Sequence, residues 1–70
     1  MGLLQRKNRL GFWRKVRGYT QQEVASWMGV TQPTISNWEL DITSPTPEQA
    51  AAMAKMLRVR VRELFPHDIF

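Results

Sequence analysis

The stretch 21–40, QQEVASWMGVTQPTISNWEL, constrains the chain more than any other feature. It reads as two short helices joined by a tight turn. Val24, Ala25 and Met28 give the first helix one apolar stripe, and Ile35 and Trp38 give one to the second. Gly29 follows the last apolar residue of the first helix. A left-handed residue closes many helices there, and glycine adopts that conformation at least cost because it has no Cβ. Thr20 and Thr31 are placed as N-caps, their hydroxyls accepting from first-turn amides. Pro33 falls in the first turn of the second helix, where its missing N–H removes no helical bond.

Two helices in this pattern make a helix-turn-helix, which sets its second helix into the DNA major groove. The segments TQQEVA, GVTQPTIS and WE resemble the Cro/repressor-type family, also called the xenobiotic-response-element family. Ala25, Gly29, Val30, Ile35 and Trp38 stand where that family has them. Leu10, Trp13, Arg14 and Gly18 look like its first helix and the end of it, and Pro45, Met53, Ala54, Leu57, Val59, Val61 and Leu64 look like its fourth and fifth helices. The resemblance thus runs from residue 8 to residue 65. It implies an all-α fold, a compact five-helix lambda-repressor-like domain with the helix-turn-helix at helices 2 and 3. It also implies a sequence-specific transcriptional regulator, a repressor of phage or mobile-element type, with double-stranded DNA as partner. The competing expectation is a protein-interaction module on the same fold, an antitoxin or adaptor, because fold alone does not fix function.

Length and charge agree. Seventy residues make one domain, 1–70, with 1–8 as a candidate basic arm and 66–70 as a C-terminal tail. A domain this small buries only about 60% of its unfolded surface, and without cysteine it has neither disulfides nor a thiolate metal site to help. The lack of cysteine also fits the reducing cytoplasm, where we expect the protein. No apolar run reaches the ~18 residues of a membrane span, and the N-terminus lacks a signal-peptide core. Net charge is +4 and the isoelectric point is near 10.4, which suits a nucleic-acid partner. Arg6, Lys7, Arg9, Arg14, Lys15 and Arg17 fill the first seventeen residues without an acid, while 18–57 sets Lys55 against Glu23, Glu39, Asp41 and Glu48. Arg58, Arg60 and Arg62 form a smaller basic cluster.

Helix one is expected from about Leu3 to Arg17, with Leu3, Leu10, Trp13 and Arg14 on one face. Helix two spans about 21–28 and helix three about 32–40. Thr46, Pro47 and Gln49 open helix four with a capping box, and Ala50, Met53, Ala54 and Leu57 form its buried stripe. Arg58 ends it where glycine or asparagine is commoner, which predicts fraying or strain. Val61, Leu64 and Phe65 make a short fifth helix before Pro66.

A recognition helix reads bases with its N-terminal residues. Those are Gln32, Pro33 and Thr34, with Asn37 a turn on. An amide such as Gln32 or Asn37 can pair with adenine N6 and N7, threonine can bond a base or offer its methyl, and proline offers only apolar contact. Gln21 lies at the N-terminus of helix two, where free amides and the helix dipole favour phosphate. The resemblance implies that it also braces the first glutamine of the recognition helix. Asn8, Arg9 and Arg17 are further phosphate candidates. Arg6 and Lys7 belong either to an arm around the duplex or to a solvated helix face. The resemblance further implies an ion pair between Arg14 and Glu39 that fixes helix one against the recognition helix.

The resemblance implies glycine shortly after the recognition helix and then basic residues that grip phosphate. Here Leu40, Asp41, Ile42, Thr43 and Ser44 supply an acid and no base. Trp27 also departs from the family and reads as an exposed ring, a partner for helix one or an interface residue. Phe12, Val16, Phe65, Ile69 and Phe70 add apolar surface that suggests a homodimer interface; the alternative is a tail folded over its own core. Catalysis is not expected, since the lone His67 beside Asp68 has no nucleophile near it in sequence. No cofactor, small-molecule ligand or metal is implied.

Overall fold

The computed structural model describes residues 8–66, which form α1 (Leu10–Val16), α2 (Gln21–Met28), α3 (Gln32–Glu39), α4 (Pro47–Leu57) and α5 (Val61–Leu64). The expectations placed on Leu3, Arg6, Lys7, His67, Asp68, Ile69 and Phe70 lie outside these residues. Among the described residues no helix is long and apolar enough to cross a membrane.

The helix starts follow from side-chain capping. Thr20 Oγ1 accepts from the Glu23 amide at 3.0 Å, and the Glu23 carboxylate accepts from the Thr20 amide at 2.8 Å. Thr46 and Gln49 repeat the arrangement at the start of α4, at 3.1 and 2.9 Å. Thr31 caps α3 more loosely, at 3.4 Å, with Pro33 in its first turn. Gly29 closes α2 in the left-handed conformation, φ 71°, and its N–H donates to the Ala25 and Ser26 carbonyls.

Helix one is shorter than expected. It begins at Leu10 because Asn8 and Arg9 are held in non-helical backbone. Asn8 Oδ1 accepts from the Leu10 amide at 3.0 Å. Its Nδ2 donates to the Trp38 carbonyl at 2.7 Å and to Asp41 Oδ1 at 2.6 Å. The Arg9 amide donates to the Leu64 carbonyl at 2.7 Å. The entry to α1 is therefore stitched to the ends of α3 and α5.

The core gathers one face of each helix. Leu10 comes from α1, Val24 and Ala25 from α2, Ile35 and Trp38 from α3, and Ala50, Met53, Ala54 and Leu57 from α4. Leu64 and Phe65 close it from the C-terminal side. Ala25 is fully buried, and a larger side chain there would force these helices apart. Phe65, expected at a dimer interface, is instead 2% exposed and belongs to the monomer's own core. Its position one residue past α5 turns the ring inward with Leu64.

Two non-glycine residues take left-handed backbone, Asp41 at φ 61° and Arg58 at φ 62°. At Arg58 the α4 end is closed rather than frayed, because its N–H donates to the Ala54 and Lys55 carbonyls. The conformation brings Cβ close to the next carbonyl and costs about 1–2 kcal/mol in a residue with a side chain. Replacing Arg58→Gly should remove that strain and raise stability by up to about 1 kcal/mol after the added freedom of the unfolded chain is subtracted. Urea unfolding measures this; a midpoint that stays or falls would contradict it.

Candidate nucleic-acid interface

Helix α3 buries Ile35, Trp38 and Glu39. Pro33, Ser36, Asn37 and Leu40 recur at helical spacing on the opposite face. Pro33 and Leu40 are exposed, and Gln32, Thr34, Ser36 and Asn37 are half-buried. The Thr34 hydroxyl lies 2.9 Å from that of Thr31, its own cap. The Asn37 carbonyl receives the amides of Ile42 and Thr43 at 2.9 and 3.4 Å, which turns the chain sharply after α3.

A buried polar chain sets the position of this face. Arg14 grips Glu39 in a fork, Nε to Oε2 at 2.6 Å and Nη2 to Oε1 at 3.2 Å. Its third contact, Nη1 to the Tyr19 carbonyl at 2.8 Å, ties down the segment before α2. The two side chains are 9% and 8% exposed. Glu39 Oε1 also accepts from Gln21 Nε2 at 3.0 Å, and Gln21 Oε1 accepts from Gln32 Nε2. The chain Arg14–Glu39–Gln21–Gln32 thus joins α1, both ends of α3 and the first residue of α2. Gly11 makes room for it: a Cβ there would stand 2.9 Å from Glu39 Oε1 and 3.2 Å from Cδ.

Gln21 and Gln32, which the family resemblance implies are partners, are thus in direct contact. Gln21 also lines a groove with Gly11, Phe12, Lys15, Ser36 and Leu40, so an exposed cation and the α2 N-terminus border the same depression. Arg9 is exposed and lies over the Phe12 ring at 4.5 Å.

Two phosphate candidates are corrected. Asn8 is 6% exposed and its amide is occupied by Leu10, Trp38 and Asp41, so it clasps the fold instead of facing a backbone. Arg17 donates from Nε to the Leu57 carbonyl at 2.7 Å and from Nη2 to the Arg58 carbonyl at 3.5 Å, with its guanidinium 5.4 Å from the Trp13 ring. It caps the C-terminus of α4.

Phe12 and Val16 are about half exposed, at 49% and 51%. Trp27 is an exposed ring, packed edge-on against Tyr19 at 4.7 Å. Sequence reasoning missed Gly11 and Asp41. A glycine inside a helical pattern was the available sign for Gly11. Asp41 gave none, because its partner Asn8 is far away in sequence.

Comparison with known proteins places this geometry. A profile of the helix-turn-helix family matches residues 12–64. A helix-turn-helix-type transcriptional regulator of Methanocaldococcus jannaschii, itself uncharacterised, is 29% identical over 62 residues, which are 89% of this chain and 94% of that protein. The crystal structure of a candidate DNA-binding protein from Bacteroides fragilis aligns with a TM-score of 0.78 at 27% identity, over 86% of this chain and 97% of that one. The chain belongs to the helix-turn-helix family, of the xenobiotic-response-element type.

The burial of the ion pair makes a stability prediction. Breaking one side of a buried pair leaves a charge alone in a low dielectric and costs about 3–5 kcal/mol, whereas an exposed pair is worth about 0–1 kcal/mol. Arg14→Met should fall in the first range in urea or thermal melts. A loss under about 1 kcal/mol would show that solvent, not Arg14, carries the Glu39 charge.

Proposed function

We propose that this helix-turn-helix protein is a sequence-specific DNA-binding transcriptional regulator, a repressor of the Cro-like type found on phage and mobile elements, that lays α3 in the major groove. The observation that carries the reading is the Gln21–Gln32 bridge at the start of α3. It holds a primary amide at the position from which a recognition helix reaches base edges. Gln32 pairs with adenine through N6 and N7, Pro33 meets a thymine methyl, and Thr34 and Asn37 contact neighbouring bases. Gln21 and the first amides of α2 take a phosphate. Arg9 adds attraction, with Arg6 and Lys7 before it in sequence.

The regulator acts as a homodimer in the cytoplasm, because such domains read two-fold sites with one recognition helix per half-site. The half-exposed Phe12 and Val16 support this, as apolar surface available to a second copy.

Selection of bound sites from random duplexes tests the reading. The wild type should enrich two-fold sites with half-sites about 34 Å apart, one turn of duplex. Gln32→Ala should lose about 1–3 kcal/mol on the enriched site and relax one base pair per half-site, with binding to random DNA unchanged. Equal weakening on both DNAs would make Gln32 a phosphate contact or a structural residue. Enrichment of single half-sites would contradict the homodimer. No salt-sensitive retardation of any duplex would overturn DNA binding and leave the protein-interaction module.

A further inference from the structure

We propose that Glu39, a buried residue at the end of α3, sets which end of the Gln32 amide is presented to a base, through a hydrogen-bond relay that runs by way of Gln21. The inference rests on the reading of Gln32 as a base contact.

Donors and acceptors fix the orientation of each amide in the relay. A carboxylate only accepts, while a primary amide has one accepting oxygen and one nitrogen with two hydrogens. Glu39 Oε1 therefore requires the nitrogen end of Gln21, and the 3.0 Å contact is to Nε2. That leaves Gln21 Oε1 as the end that meets Gln32. An oxygen requires a donor, so Gln32 meets it with Nε2. One hydrogen of Gln32 is thereby committed inward. Its other hydrogen and its Oε1 remain for the groove. Reversing either amide would set oxygen against oxygen within the relay.

The charge at the head of the relay is itself fixed. Arg14 holds both Glu39 oxygens, so the carboxylate cannot turn away. Gly11 leaves the space in which Oε1 can reach Gln21, since any Cβ at that position would press on Oε1 and Cδ. Glu39 and Gly11 are thus positioning residues for Gln32, although neither is a base contact.

The consequence is a choice between purines. Adenine presents a donor at N6 and an acceptor at N7, which match one amide oxygen and one remaining hydrogen. Guanine presents acceptors at both O6 and N7. With the relay intact, guanine O6 faces Gln32 Oε1 and is rejected. With the relay cut, both hydrogens of Gln32 become available, and guanine is accepted by the same side chain.

The test uses full-length protein and duplexes from the selected sites that differ only at the base pair whose preference depends on Gln32. The wild type should favour adenine over guanine there by roughly 5–150-fold, the range of one good bidentate contact. Gln21→Met keeps the side-chain length and both Arg14–Glu39 bonds while removing the amide that Glu39 Oε1 accepts from; it should bring the two duplexes close to parity. Gly11→Ala should do the same from the other end, with Gln21 still present. Thermal melts identify any variant that fails to fold, and the other then decides. A merely structural role would lower both affinities together and keep their ratio, so a wild-type ratio in folded Gln21→Met or Gly11→Ala overturns the relay. A wild-type preference for guanine overturns it as well. If the ratio survives in Gln32→Ala, the base-contact reading fails and takes the relay with it; loss of the ratio in Gln32→Ala but not in the other two sinks the relay alone.

Discussion

Glu39 places a carboxylate in the interior of a seventy-residue protein. Taking an ion out of water costs several kcal/mol, and only a well-aimed partner offsets it. The Arg14 fork and the Gln21 amide are in place only when α1, the start of α2 and the end of α3 stand as they do here. Apolar packing among Leu10, Val24, Ile35 and Trp38 draws the helices together but tolerates small slides, because it is non-directional. The fork does not. Its two bonds have fixed geometry, so the pair selects one register of α1 against α3 out of those the core would allow. The same atoms then lead outward to Gln32, and so a stability device and the candidate reading surface share one hydrogen-bonded chain.

The segment after α3 departs from what the family resemblance implies. In place of glycine and basic residues it has Asp41, which adopts the left-handed turn and whose carboxylate receives the Asn8 amide. Asp tolerates that conformation better than most residues with a Cβ. The acid that weakens the electrostatic case for this loop thus ties the start of α1 to the end of α3. The positive charge of the chain lies elsewhere, in the N-terminal seventeen residues and in 55–62. Arg14 is held inside the fold by Glu39, and the half-buried Arg17 is tied to the last carbonyls of α4. Formal charge therefore overstates what is available to a phosphate backbone.

Much of the fold was legible in the sequence because its signals are local. Thr20, Thr31 and Thr46 cap helices whose first turns they begin, Gly29 closes α2, and the stripe Ala50, Met53, Ala54 and Leu57 is buried as its spacing implies. The errors fall where the deciding contact is distant in sequence. Asn8 reads as a polar residue in a basic segment until it meets Trp38 and Asp41. Arg17 reads as a surface cation until α4 delivers its carbonyls. Phe65 reads as exposed tail because no local pattern says that the chain turns inward after α5. At the candidate site, residue types pointed to Gln21 and Gln32, and the family resemblance supplied the pairing of Arg14 with Glu39. Their joining into one chain through the space left by Gly11 depends on three helices at once, and no window of sequence contains it.

Arg14 and Glu39 act as one unit. A double-mutant cycle in urea with Arg14→Met, Glu39→Leu and the combined variant tests it most directly. If the pair is a buried unit, each single change strands a partner and the combined change removes both charges, so the double variant should be more stable than the sum of the singles by about 2 kcal/mol or more. Losses that add to within about 0.5 kcal/mol would mean that the two side chains are independent and that the buried pair does not act as a unit.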